Sequence, residues 1–293
     1  MSRAAAIALA LALAAWVGAT PAFAHERILF IGNSFTMGAN SSALRYRADS
    51  VAALTEANIG GVPAIFERFA DQAGFEWEAS HELSGGKDLA WHLANRREAI
   101  DKPWDVVVLQ QYSTLDERNP GDPATTLRDA PALARLVSDR NPDVKVYLLS
   151  TWTRADQALK PTGYWYGQPL EAMALAVRRA LDAADAASDD IDGVIPVGEA
   201  WQRTISQGIA DGNPYDGRDF GKVDLWSYDQ YHASAEGSYL EALVVFAHVT
   251  GYDVRQFGAG EKAANELGIE PRIAEALQRV AMEQLAGARV GFD

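Results

Sequence analysis

The sequence predicts an α/β protein, a three-layer α/β/α sandwich around a mostly parallel sheet. Two observations carry that expectation. Short apolar runs of strand length alternate along the chain with longer segments of helical periodicity. The clearest run, Trp104 to Leu109 (WDVVVL), is continuous and rich in β-branched residues, as in a strand covered on both faces.

The elements follow in order. Arg3 precedes an apolar run from Ala4 to Val17, and Pro21 to Ala24 end on small residues. This is the layout of a secretory signal peptide, so residues 1–24 are expected to be removed and 25–293 to form one domain. The run is short for a bilayer span, and no later stretch is long enough for one. Arg27 to Ile31 reads as a first strand stopped by Gly32. Val62 to Ala73 reads as a helix closed by Gly74, Phe75 to His81 as a second strand, and Lys87 to Ile100 as a helix. After the WDVVVL strand come a helix from about Ala124 to Ser138, with Pro131 as a possible break, and a strand at Val144 to Leu149. A long connection, Thr151 to Gln168, leads to a helix at Pro169 to Ala187. Gly193 to Val197 reads as an edge strand because of Pro196. Helices follow at Gly198 to Ile209 and Ser234 to Thr250, and one or two more from Ala259, broken at Pro271.

Composition narrows the function. The formal charge is −14. Arg3 is the one charged side chain in the leader, so cleavage makes the chain more negative still. That disfavours nucleic acids and anionic membrane surfaces, whose phosphates are bound by Lys and Arg. There is no cysteine, hence no disulfide, thiol nucleophile or thiolate metal site. An exported chain without disulfides suits a bacterial periplasm or exterior. No two histidines have the H-x-x-x-H spacing, so no metal or other cofactor is expected. His81, His92 and His248 read as packed or solvated. A copper site at His25 would need a β-sandwich, which this pattern does not make.

In a parallel sheet the active site lies at the carboxyl ends of the strands. Gly32-Asn33-Ser34 stands there. The serine is either a nucleophile or, with Asn33, a helix cap. Near the other end, Asp229-Gln230-Tyr231-His232 spaces a carboxylate and an imidazole so that one orients the other. The same segment also reads as a turn before a helix capped at Ser234. Ser84-Gly85-Gly86-Lys87 is a turn after the second strand, and Gln110-Gln111-Tyr112-Ser113 ends the central strand.

Together these blocks resemble the SGNH (GDSL-type) hydrolase superfamily over Ile28 to Gly251. The branch with a G-N-S-F opening is most similar, and its ending DxYHxSxxGxYL is matched by Asp229 to Leu240. The resemblance implies a flavodoxin-like fold and a serine esterase with an acyl-serine intermediate. It implies Ser34 as nucleophile, His232 as general base and then acid, and Asp229 as the group that orients His232. The backbone N–H groups of Ser34 and of Gly86, or else Gly85, would form the oxyanion hole. The third block departs from the pattern: where the family has an oxyanion-binding Asn, this chain offers Gln110, Gln111 or the Tyr112 hydroxyl. Asn33 replaces the usual aspartate and is expected to bond nearby backbone.

The connection after Leu149 carries Trp152, Arg154, Tyr164, Trp165 and Tyr166 at the functional edge. Trp152, Arg154, Trp165 and Tyr112 are the expected substrate-binding residues, although such aromatics also pack loops onto cores. The expected substrate is a short-chain acyl ester, O-acetyl on a carbohydrate or small molecule. The alternatives are a carbohydrate-binding protein that has lost catalysis, or an acyltransferase with the same triad.

Overall fold

The computed structural model describes residues 25–288, so the expected leader lies outside the described residues. Six strands form one sheet: β1 (Glu26–Gly32), β2 (Ala52–Ala53), β3 (Trp77–Leu83), β4 (Val106–Leu109), β5 (Lys145–Leu149) and β6 (Val194–Ile195). Every pairing is parallel and the order is β2-β3-β1-β4-β5-β6. Without the two-residue β2, the order is that of the flavodoxin-like doubly wound sheet. The direction in which successive strands are added reverses between β1 and β4, and ligands bind at such a switch point.

Two layers of helices cover the sheet. On one side lie α1 (Gly61–Ala73), α7 (Val197–Ser206) and α8 (Ala235–Thr250), packed over Ile28, Phe30, Val106 and Val108. On the other lie α2 (Leu89–Asn95), α4 (Ala124–Ser138) and α6 (Ala172–Ala186), packed over Leu29, Ile31, Val107 and Leu109. Successive strand residues point to opposite faces, so two helical layers favour central strands with continuous apolar runs, as in β1 and β4. Short helices α3 (Arg97–Ile100), α5 (Ala155–Ala158) and α9 (Lys262–Leu267) complete the connections, and α10 (Pro271–Ala288) packs on α7 and α8. With α10 outside it, α8 is buried from Gly237 to Ala247, which explains why its sequence is apolar on all sides.

The structure differs from the expectations at several points. Strand β3 starts two residues later than Phe75, and β2 was not foreseen. The helix expected at 87–100 begins at Leu89, where the Asp88 carboxylate caps the Trp91 N–H at 2.8 Å, and it divides at Arg96. Pro131 does not break α4. Burial of Ala130, Leu133 and Ala134 on the core offsets a proline cost of about 3 kcal/mol. Pro271 opens α10, where a missing N–H costs nothing.

Phe66 is the hub of the core beside α8. It is fully buried and meets Phe30, Trp77 and Phe246 edge-on, with centroids 5.8, 5.5 and 5.3 Å away. Phe66→Ala is expected to cost ~3–5 kcal/mol in denaturant unfolding. A loss below about 1 kcal/mol would show that this cluster does not hold the helices on the sheet.

Candidate active site

The first site segment is held from below. The Gly32 carbonyl, at the end of β1, accepts from the Ser84 N–H at 3.0 Å and from His92 Nε2–H at 2.9 Å. Gln110, at the end of β4, crosses over Gly32 so closely that a Cβ there would lie 2.7 Å from Gln110 Oε1. Glycine is therefore dictated by the approach of a neighbouring side chain. Gln110 Oε1 then accepts the Asn33 N–H at 2.9 Å. The Asn33 side chain donates to the Lys87 carbonyl at 2.9 Å and accepts the Phe35 N–H at 3.2 Å. This matches the expectation that Asn33 bonds nearby backbone, and it ties the Gly85-Gly86 turn to the serine segment. Residues 33–39 close as successive turns and do not continue into an α-helix, so Ser34 caps none.

The second segment reaches the first from 198 positions away. Ser34 Oγ lies 2.8 Å from His232 Nε2, and His232 Nδ1 lies 2.6 Å from Asp229 Oδ2. The serine hydroxyl donates to Nε2, which places the ring proton on Nδ1, where the carboxylate receives it. Asp229 Oδ1 accepts the backbone N–H groups of Tyr231 (3.1 Å) and His232 (3.0 Å). Gln230 stands in the left-handed region at φ 55°, and this reverses the chain between the acid and the base. Ser234 also caps α8, accepting the Gly237 N–H at 3.1 Å, so the segment is both a helix start and a site loop.

The charges follow from these contacts. Burial pushes the Asp229 carboxyl up, but the bonds from His232, Asn40 and Tyr231 outweigh it and hold the group below its ordinary range. Burial pushes His232 down, and its bond to Asp229 recovers only part of that, so the imidazole lies below its ordinary value. The pair rests as carboxylate and neutral imidazole, the form in which His232 accepts a proton.

Backbone donors stand open at this edge. Among the described residues, the N–H groups of Ser34 and Gly86 donate to no protein acceptor. Gly86 has φ 68°, a left-handed value that glycine adopts without penalty. The expected glutamine donors are otherwise engaged. Gln110 Nε2 bonds the Gln111 carbonyl, and Gln111 Nε2 bonds Thr126 Oγ1 at 3.3 Å. Gln111 Oε1 accepts the N–H groups of Leu89 and Tyr112. Both side chains are buried supports of the strand end. Tyr112 is half-buried, and burial raises its phenol, which stays a protonated donor.

Two of the aromatic expectations need correction. Trp152 is fully buried, stacked between Phe35 and Trp201 with both centroids at 4.5 Å. Trp165 is buried against Tyr164, 4.8 Å between centroids. Apolar burial claims the larger rings, and the exposed faces of this loop belong to Tyr164 and Tyr166. Arg154 lies over the Tyr231 ring at 3.8 Å, is bidentate to Asp156 (3.0 and 2.8 Å) and reaches Ser113 Oγ at 3.3 Å. Tyr228, next to Asp229, is exposed above a depression of about 300 Å³ lined by Ser42, Arg218, Trp226 and Glu236.

Three side chains at the site were not singled out for it by the sequence. His92 supports Gly32 from the core. Asn40 Nδ2 donates to Asp229 Oδ2 at 2.7 Å. Glu241, in the middle of α8, accepts from Thr36 Oγ1 at 3.1 Å beneath the serine turn. The D-x-x-H spacing marks acid and base, but nothing local in sequence marks partners that arrive from distant elements. Among the described residues, no group of three or more His, Cys, Asp or Glu side chains is placed to hold a metal ion, and no helix is long and apolar enough to cross a membrane.

Known structures share this arrangement of elements. A DUF4886 family protein from Bacteroides uniformis superposes with a TM-score of 0.64 at 20% identity, covering 89% of this chain and 95% of that one. A protein assigned as a GDSL-like lipase from Parabacteroides merdae superposes at 0.50, with 17% identity over 78% and 96% of the two chains. The chain shares with them the three-layer α/β/α fold around a parallel sheet. An acetyl xylan esterase, AlAXEase, superposes at 0.53 with 13% identity, over 76% of this chain and 99% of its own. No family model and no curated protein matches the sequence. The likeness to these solved structures is one of fold, in the order of strands and helices, at 13–20% identity.

Glu241 gives the site a measurable pH signature. It is fully buried, and burial pushes its carboxyl up to about 8 against the pull of the Thr36 hydroxyl. The folded chain keeps a proton that the unfolded chain, near 4.5, releases, so stability falls as pH rises between those values. Glu241→Gln removes that proton exchange. Melting temperatures near pH 5 and pH 8 are expected to differ less in the variant than in the wild type. Equal differences would show that Glu241 is ionised in the fold.

Proposed function

We propose that the chain is a serine esterase. The observation that carries this reading is the unbroken chain from Ser34 Oγ to His232 Nε2 (2.8 Å) and from His232 Nδ1 to Asp229 Oδ2 (2.6 Å) at the switch point of the sheet. In the reaction, Ser34 Oγ attacks the ester carbonyl while His232 takes its proton. The carbonyl oxygen gains charge and is received by the N–H groups of Ser34 and Gly86, which cost no reorganisation. Tyr112 is the remaining candidate for a third donor. His232 then gives its proton to the leaving alcohol, and a water activated by the same imidazole releases the acid and frees Ser34. Asp229 keeps its charge throughout and stabilises the imidazolium.

The substrate we propose is a short-chain, O-acetyl-type ester on a carbohydrate, met outside the cytoplasm. Three features support this: the leader-like residues 1–24, the acidic charge, and the exposed rings of Tyr164, Tyr166 and Tyr228, which offer flat faces to sugars. The fold likeness to an acetyl xylan esterase is compatible with it. A specific observation keeps the binding-protein reading alive: both third-block glutamine amides are committed to structural bonds.

The purified protein is expected to hydrolyse p-nitrophenyl acetate faster than longer-chain esters. Ser34→Ala should lower kcat by at least ~1000-fold. Because the neutral imidazole is the active form and lies below 6.5, kcat/KM should still exceed half its plateau at pH 6.5. No turnover in the wild type, together with binding of sugars, would favour the binding protein.

A further inference from the structure

Asn40 occupies a place that the Ser–His–Asp description leaves empty. It follows the serine turn and stands in the left-handed region at φ 63°. Two of its groups reach the loop that carries the acid and the base. Its Nδ2 donates to Asp229 Oδ2 at 2.7 Å, the same oxygen that receives the His232 ring proton. Its carbonyl accepts the hydroxyl of Ser227, whose own N–H donates to the His232 carbonyl at 2.7 Å. One residue of the nucleophile segment thus grips the base segment by side chain and backbone.

The amide orientation follows from chemistry. Turned the other way, the Asn40 oxygen would face a carboxylate oxygen at hydrogen-bond distance, two acceptors with no proton between them. With Nδ2 toward Asp229, the carboxylate receives four donors: His232 Nδ1–H and Asn40 on Oδ2, and the N–H groups of Tyr231 and His232 on Oδ1. Nδ2 also lies 3.3 Å from His232 Nδ1. That is proximity and no bond, because the Nδ1 proton belongs to Asp229. The positive end of the amide therefore faces the ring edge that becomes imidazolium.

We infer that Asn40 is a positioning residue, a fourth member of the triad that fixes the Asp229 carboxylate and weakens the basicity of His232. This rests on the serine-esterase reading for its kinetic consequences, but its effect on His232 exists without substrate. The charged groups acting on His232 are Asp229, Arg154 and Asp156, and Asn40 tunes the first of them. Removing the amide leaves Asp229 more basic and removes a positive dipole from the ring. Both changes raise the pH at which His232 takes a proton.

Two variants separate the amide from the backbone. Asn40→Gly keeps the left-handed conformation at no steric cost and retains the carbonyl that Ser227 bonds, while Asn40→Ala strains it. The His232 ring would be followed by nitrogen NMR titration of the ¹⁵N-histidine protein, assigned with His232→Gln, beside kcat and KM on p-nitrophenyl acetate. Asn40→Gly is expected to unfold near the wild-type temperature. It should lower kcat roughly tenfold or more while KM stays within about twofold, and it should move both the His232 titration and the acid limb of the rate to higher pH. Wild-type kcat and an unmoved titration in Asn40→Gly would overturn the inference, as would an activity loss that follows stability alone. If the wild type shows no turnover sensitive to Ser34→Ala, the esterase reading fails, and the His232 titration still decides the role of Asn40.

Discussion

A hydroxyl after the first strand and an imidazole before the last large sheet-covering helix must meet within one hydrogen bond, although 198 residues separate them. Much of the architecture serves that meeting. Strand β1 lies at the centre of the sheet, with β3 on one side and β4 on the other, so its end is braced by both neighbours. Gln110 grips the Asn33 N–H from β4, and Asn33 grips Lys87 beyond β3. On the opposite side, Ser234 starts α8 and fixes where the Asp229–His232 loop ends. The Phe35 ring joins the halves: it stacks on Trp152 and touches Tyr231 and His232, with centroids at 5.3 and 5.5 Å.

Under the serine turn lies a layer of buried polar groups that an apolar core would not contain. His92, Gln110, Gln111 and Glu241 are each at most 3% exposed. Burying such groups costs free energy unless they are bonded. Here most of their bonds go to backbone just after the strands, at Gly32, Asn33 and Tyr112, and at Leu89, where α2 starts. The cost is offset by fixing loop backbone that would otherwise move. Among these four side chains two atoms lack a hydrogen-bond partner: His92 Nδ1, which faces Glu82 Oε1 at 3.4 Å, and Glu241 Oε2, whose carboxyl meets its surroundings by keeping a proton.

The fold was legible in the sequence because its central strands β1, β4 and β5 carry apolar runs and its helices are periodic. Strand β2, two alanines at an edge, carries no pattern to read. The triad spacing was legible because its chemistry requires particular residue types. Roles set by long-range packing were not. Trp152 and Trp165 look like pocket walls in a loop, yet burial of large rings draws them into the core. Gln110 and Gln111 look like oxyanion donors, but one amide nitrogen bonds the Gln111 carbonyl and the other bonds Thr126 in α4. Asn40 carries one faint local signal: an asparagine two residues after Gly38 in a turn segment, a residue type that tolerates the left-handed conformation it adopts. Nothing local announces that Asp229 is its partner.

The central claim is that the bond between Ser34 and His232 makes this one hydroxyl nucleophilic. The most direct measurement is to treat the protein with a fluorophosphonate and map the adduct by mass spectrometry of the digested chain, with His232→Gln alongside. A single phosphonyl group on Ser34, formed rapidly in the wild type and far more slowly in the variant, is the predicted result. No adduct, an adduct on another serine, or equal labelling of the variant would contradict the claim.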